Sequence, residues 1–485
     1  MRTIIEPFRT KVVEPIYFTT PAQRRIFLKE AGYNLFKIAA RDVVIDLLTD
    51  SGTSAMSQNQ WSGLMRGDES YAGCASFFRF EQAVQEIFGY PIVIPVHQGR
   101  AAERLLFGEI VRPGHVVPSN THFDTTRANI EILGGQAVDM PCPESLDSTS
   151  SQPFKGNLNI ETLEALLKKQ ADSVPFIMIT ITNNAAGGQP VSLENISAVS
   201  RLAKTYGKAL YIDAARFAEN SYLIQTREVG MESQSVRSIA GEIFALADGC
   251  LMSAKKDGLA NMGGFIALRD EGLANAVKNK LIVTEGFPTY GGLSGRDLET
   301  IAIGLQEVLD EDYLKYRLAS ATYLADGLRQ AGIPLVLPAG LHAVYVDARR
   351  MFPHSAPGEF PGQALVCELY LEAGIRSCEI GTAMFGQTLP DGRQRIAAHD
   401  LVRLALPRRV YNQSHYDYVI EAAGLVYARR HSVAGMRITS EPPQLRHFTA
   451  SFEPLPARQA VSVGNDVAAV VCGPAAGARK PLIRT

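Results

Sequence analysis

The sequence predicts an α/β protein: a mostly parallel sheet in a large domain, with a smaller α+β domain after it. Three observations predict this. From about Met56 onward, short apolar runs alternate with stretches of helical periodicity, the pattern of strands joined by covering helices. Asn184, Asp213 and Lys256 each follow one of those runs, where ligands gather in parallel sheets. Beyond Gly332 the alternation gives way to scattered strand signals and single helices.

The first 55 residues carry "EPFRTKVVEPIYFTTPAQR", too rich in proline and mixed charge for a unit of their own. They predict an N-terminal arm that also contributes part of the small domain. Arg41 to Leu48 predicts a short strand, and Thr49 to Thr53 a polar turn. The large domain spans residues 56–310. Its expected helices are Phe80–Phe88, Ala101–Ile110, Leu158–Lys169, Leu193–Tyr206 and Ser235–Ala245. Its expected strands are Pro91–Val96, Ala137–Met140, Phe176–Thr182, Ala209–Ile212, Gly249–Met252 and Gly264–Leu268. One long helix, Arg296 to Arg329, leads into the small domain, residues 311–452. There strands are expected at Leu335-Val336, Ala343–Val346 and Leu401–Leu406, and a helix at Gln363–Ala373. Residues 453–485 lose periodicity and predict a disordered tail.

Composition excludes several classes of function. A net charge of −2 argues against a nucleic-acid partner. No run of about 20 apolar residues offers a membrane span. The start, Met-Arg-Thr-Ile-Ile-Glu-Pro, lacks the apolar core of a signal peptide. The six cysteines show no paired spacing and read as reduced thiols, which places the protein in the cytoplasm.

The chemistry centres on "LMSAKKDGLANMGGF", where Lys255 and Lys256 stand between two apolar runs. A lysine at a buried strand tip loses solvation, its pKa falls, and it becomes suited to Schiff-base chemistry with a carbonyl. Spacing alone does not separate Lys255 from Lys256. Upstream, the run ending in Ile212 closes on Asp213, an acid able to hold a pyridinium nitrogen protonated. Strand-end Asp, then strand-end Lys about forty residues on, is the order found in the aspartate-aminotransferase-like (fold type I) enzymes of pyridoxal 5'-phosphate, PLP. Gln98-Gly99-Arg100 lies between a strand and a helix, a geometry in which backbone N–H groups and the helix dipole hold a phosphate.

A more specific resemblance runs in order from "EPFR" to Ala450. "LLTDSGT", "MRGDESYAG", "PVHQGRAAE", "FDTTR", "NNAAGGQPVS", "DAARFAENSY", "EGFPTYGGLSGRD" and "LRHFTA" resemble the β-eliminating lyases of aromatic amino acids. The resemblance implies that Lys256 bonds PLP and serves as the α-proton base. Ser253 joins Gln98, Gly99 and Arg100 as phosphate ligands. Phe123 stacks on the cofactor ring, Asp213 faces its nitrogen, and Asn184 and Arg216 lie near its phenolic oxygen. Arg403 grips the substrate carboxylate, Tyr71 protonates the leaving ring from a neighbouring subunit, and Tyr290 also crosses the interface. Gly52, Glu69 and Asn261 match a potassium site in a homotetramer with shared active sites. Within the family, Ile380, Asp124 and His447 depart from the phenol-releasing pattern. They imply β-elimination of L-tryptophan with water to indole, pyruvate and ammonia. Phenol release from tyrosine is the nearest alternative, and transamination on the same fold a more distant one.

Overall fold

The computed structural model describes residues 4–182 and 184–456. Seven strands form the central sheet: β1 (Ile92–Val96), β2 (Val116–Ser119), β3 (Gln136–Asp139), β4 (Phe176–Thr180), β5 (Ala209–Asp213), β6 (Gly249–Ser253) and β7 (Gly264–Leu268). Their order is β1-β7-β6-β5-β4-β2-β3. β7 is antiparallel to both its neighbours, and the other pairings are parallel. β4, β6 and β7 are buried along their whole length, which is why they read as continuous apolar runs. Helices cover both faces over separate apolar clusters, one around Phe88, Phe217 and Phe244, the other around Phe107, Phe176 and Leu268.

A three-stranded antiparallel sheet organises the second unit, with Leu401–Ala405 between Cys378–Ile380 and Ala343–Asp347. Its core takes in Leu28, Leu35, Val44, Ile45 and Leu47, so the N-terminal segment packs with the C-terminal half of the chain. The helix Pro21–Glu30 starts on a reciprocal cap between Thr20 and Gln23.

Three sequence expectations change. The strand expected over Arg41–Leu48 shrinks to Ile45–Asp46, paired with Ile375–Arg376, after a turn at Ala40–Asp42. Val44 and Leu47 on either side still donate to Gly374 O and Arg376 O, so the pairing frays beyond two residues and does not stop there. The long helix from Arg296 to Arg329 is two, Gly295–Glu307 and Glu311–Gln330. Asp310 caps the second by accepting from Tyr313 N, and the second helix runs from the core it shares with Leu298 and Leu305, at Tyr313 and Leu314, into the other core at Leu324 and Leu328. Glu453 and Pro454, placed in the tail by periodicity, pair with Met436–Ser440 instead. Residues 457–485 of the expected tail lie outside the described residues. Among the described residues no helix is long and apolar enough to cross a membrane.

Candidate active site

The ends of β5 and β6 build the site. β5 stops at Asp213, whose carboxylate accepts from Ala215 N at 3.1 Å. β6 stops at Ser253, and the turn carrying Lys255 and Lys256 follows, closed by Leu259 N donating to Lys256 O at 2.9 Å. Both lysines, Asp213 and Ser253 line one cleft with Gln98, Gly99, Arg100 and Phe123. Lys255 turns toward the rim, its Nζ 3.5 Å from Gln98 Oε1. Lys256 lies deeper, and desolvation, with Arg216 beside it, pushes its pKa down to about 8. Burial holds the Asp213 carboxyl above its usual range, an effect that the Lys256 ammonium opposes. Those opposed shifts are what a poised amine beside an acid produces.

The phosphate end of the cleft is a cradle. The helix Gly99–Ile110 starts at Gln98, whose side chain makes no capping bond; Ala101 N and Ala102 N donate to Gln98 O, and the N–H groups of Gly99 and Arg100 remain available. A Cβ on Gly99 would stand 2.8 Å from Ser253 Cβ, so glycine is what lets the loop close on the serine. With Arg100 at its mouth this cradle suits a dianion.

Asn184, Arg403, Asp124, His447 and Ile380 are buried but do not line the Lys256 cleft. Arg403 donates to Asn184 Oδ1 at 3.1 Å and to Leu48 O at 2.8 Å. Asn184 Nδ2 is buried without a partner among the described residues. His447 Nε2 stands 3.1 Å from Asp124 Oδ2, neither atom in hydrogen-bond geometry, while Asp124 Oδ1 accepts from Thr125 N. Phe36 and Phe448 pack against the His447 ring, and Ile380 is buried among Tyr345, Cys378 and Leu401.

Some expected residues stand apart within one chain. Arg216 is held by Asp50 through Nε–Oδ2 at 3.0 Å and Nη2–Oδ1 at 2.7 Å, a partner that motif reading missed. Tyr71 is exposed and packs on Tyr290 at 5.4 Å and Phe287 at 5.7 Å, and neither tyrosine lines the Lys256 cleft. Asn261 Nδ2 donates to Gly52 O at 3.0 Å, but Glu69 is elsewhere, accepting from Gly295 N and Arg296 at the start of another helix.

Motif reading also missed the charges beneath the lysine. Arg408 is fully buried and donates to Asp50 at 3.0 Å, Glu219 at 2.9 Å and Asp257 at 2.8 Å. Arg317 joins Glu219 at 3.0 Å. Asp257, next to Lys256, caps the helix Phe217–Arg227 by accepting from Ala218 N and Glu219 N. The fragments "LLTDSGT" and "LVRLALPRR" contain Asp50 and Arg408, but nothing local says that they meet.

An acid at the end of β5, a lysine past β6 and an uncapped helix start beside a serine are what PLP needs from a protein, and the residues fit it. Two solved structures share the fold. A threonine aldolase from Leishmania major aligns with TM-score 0.55 at 17% identity, covering 79% of this chain and 99% of that one. A serine palmitoyltransferase from Sphingomonas wittichii aligns with TM-score 0.57 at 13% identity, covering 85% and 97%. Fold and site together define a fold type I PLP enzyme. The model of the β-eliminating lyase family matches residues 46–422, and the chain belongs to that family. A tryptophanase from Hyphomonas neptunium is 57% identical over 94% of this chain and 100% of its own length. A tyrosine phenol-lyase from Symbiobacterium thermophilum is 46% identical over 93% and 98%.

Proposed function

We propose that the protein is a carbon–carbon lyase that cleaves L-tryptophan with water to indole, pyruvate and ammonia. The observation that carries this is the buried Asp124–His447 pair, with the buried, apolar Ile380 as its companion departure from the phenol-releasing pattern. Asp124 Oδ2 is buried and unsatisfied, an acceptor for an indole N–H, and His447 beside it limits how the carboxylate turns. A phenolic oxygen would meet Ile380, which offers no donor, at a cost of roughly 1–3 kcal/mol for a buried polar group. The higher identity to a tryptophanase than to a tyrosine phenol-lyase supports the same reading.

Bound PLP supplies the electron sink that lets an amino acid lose its α-proton. Lys256, neutral in a useful fraction near pH 7, takes and holds that proton. Asp213 keeps a proton on the ring nitrogen. Arg100, Ser253 and the N–H groups after Gln98 and Gly99 hold the phosphate, Phe123 packs on the ring, and Asn184 and Arg216 serve its phenolic oxygen. Arg403 binds the substrate carboxylate as a planar fork. Separate incubations with tryptophan and tyrosine test the reading: indole and pyruvate should appear from the first faster than phenol from the second. Phenol release that outruns indole release overturns it. His447→Phe should lower kcat/KM for tryptophan about tenfold, one hydrogen bond's worth. Turnover of S-alkyl-cysteine, whose leaving group has no indole N–H to be held, should be largely spared.

The assembly belongs to the same proposal: a cytoplasmic homotetramer built from dimers with shared sites. Tyr71, as ring proton donor, and Tyr290 serve the cleft of a second copy, because each lies outside its own. A potassium ion would bridge the contact through oxygens of Gly52 and Asn261 from one copy and Glu69 from another. Mixing inactive Tyr71→Phe with inactive Lys256→Ala should restore roughly a quarter of wild-type activity, since half of the sites in mixed dimers regain both groups. Sodium in place of potassium should lower activity. No recovery on mixing despite demonstrated subunit exchange overturns the shared site, and equal activity in sodium overturns the potassium site.

A further inference from the structure

Asn184 lies between two side chains of the second unit. Arg403 and Tyr345 are cross-strand partners in the antiparallel sheet, so they project to the same side. Both reach the same atom: Tyr345 Oη is 2.5 Å from Asn184 Oδ1, and Arg403 Nη1 is 3.1 Å from it. A guanidinium only donates, so the atom it touches is the amide oxygen, and the Asn184 side chain has one allowed orientation. An amide oxygen only accepts, so the Tyr345 hydroxyl must give its proton to Asn184. His342 Nε2, 2.9 Å from that hydroxyl, must then donate to it, which fixes the neutral imidazole with its proton on Nε2. Burial and the nearby arginines hold the His342 pKa well below the usual range, against Asp50 and against Glu219, whose Oε2 lies 3.7 Å from Nδ1. Gly188 completes the fit: a Cβ there would lie 2.9 Å from both the His342 and Tyr345 rings, so the Asn184 loop can lie against them only with glycine at that position. With its oxygen engaged by Tyr345, Arg403 and, at 3.3 Å, His342 Nε2, the amide has one free end, Nδ2, buried and unpartnered.

We infer that Tyr345 is a positioning residue, whose hydroxyl holds the Asn184 amide so that its N–H, and never its oxygen, faces the cofactor's phenolic oxygen. This rests on the PLP reading above. Arg403 contributes to the same orientation, but its expected duty is to the substrate carboxylate. When that duty calls on the guanidinium, Tyr345 at 2.5 Å is the nearer of the two groups left on the amide oxygen, with His342 Nε2 at 3.3 Å behind it.

The test is the pH titration of the visible absorbance of bound PLP in the substrate-free holoenzyme, together with kcat/KM on two substrates. An N–H facing the phenolic oxygen favours its anion, so removing the constraint should move the titration upward. Tyr345→Phe should shift it by about one pH unit, the scale of one hydrogen bond. It should also lower kcat/KM for tryptophan and for S-alkyl-cysteine by the same factor, about tenfold. Asn184→Ala should do likewise, and the double variant no more than either, because the two act as one unit. Additive effects, or a titration unmoved in Tyr345→Phe, overturn the inference. If Tyr345→Phe does not fold, Asn184→Asp takes its place: it keeps an oxygen toward Tyr345 and Arg403 and replaces the free N–H with a second oxygen. An unmoved titration there overturns the inference equally. Wild-type protein with no PLP absorbance defeats the PLP reading and this inference together, whereas the variant results bear on Tyr345 alone.

Discussion

Lys256→Ala is expected to lower turnover by roughly 10⁴-fold or more, the scale of losing a group on which every step depends. Borohydride treatment of the wild-type protein should fix PLP to Lys256 and leave no fixed label in this variant. Lys255→Ala should keep both label and activity, because Lys255 turns to Gln98 at the rim while Lys256 lies near Asp213 and Arg216. With its pKa near 8, about one Lys256 in ten is neutral at pH 7, against well under one in a thousand for an ordinary lysine. PLP uptake by the apoprotein should therefore rise about tenfold per pH unit up to about pH 8 and level off above it. A label on Lys255, or uptake still climbing steeply past pH 9, contradicts the assignment.

The second large effect concerns stability. Arg408→Met should destabilise the holoprotein by about 3–5 kcal/mol, because Asp50, Glu219 and Asp257 would keep their burial and lose the cation between them. For a domain of this size the melting temperature should fall by roughly 6–20 °C. Arg408 and its neighbour Arg216 hold the Asp50 carboxyl well below its ordinary range, so Asp50 stays ionised throughout the working pH range. Asp257, pushed up to about 6 by burial and by Glu219, is the carboxyl that Arg408 most needs to keep ionised. Since Asp257 also caps the helix behind Lys256, the variant should lose PLP affinity as it loses stability. Arg393→Met supplies the comparison: that arginine pairs with Asp391 in solvent, and its loss should cost under about 1 kcal/mol. Equal melting temperatures for the two variants would show that the buried network carries no stability.

The sequence by itself determined six of the sheet's seven strands and the residues at their ends, missing Val116–Ser119, a four-residue strand interrupted by Pro118. Those are local properties: an apolar run long enough to be buried on both faces reads the same in any context, and Asp213 and Lys256 are legible because each terminates such a run. The Gln98-Gly99-Arg100 cradle was legible for the same reason, as a strand, a glycine and a helix start in succession. Only the tertiary structure decided which of two adjacent lysines stands by Asp213 and Arg216 and which by Gln98, since both line one cleft and spacing carries no depth. It alone joined Asp50 to Arg216 and Arg408, residues 166 and 358 positions from it along the chain, whose pairing has no local signature. It alone set Tyr345 opposite Arg403 and under Asn184, because strand register and domain packing are decided by long-range burial. Even the break at Asp310 follows this logic. Helical periodicity continues through it, but Asp310 turns its side chain to cap the next helix, and that second helix carries the chain from one core to the other.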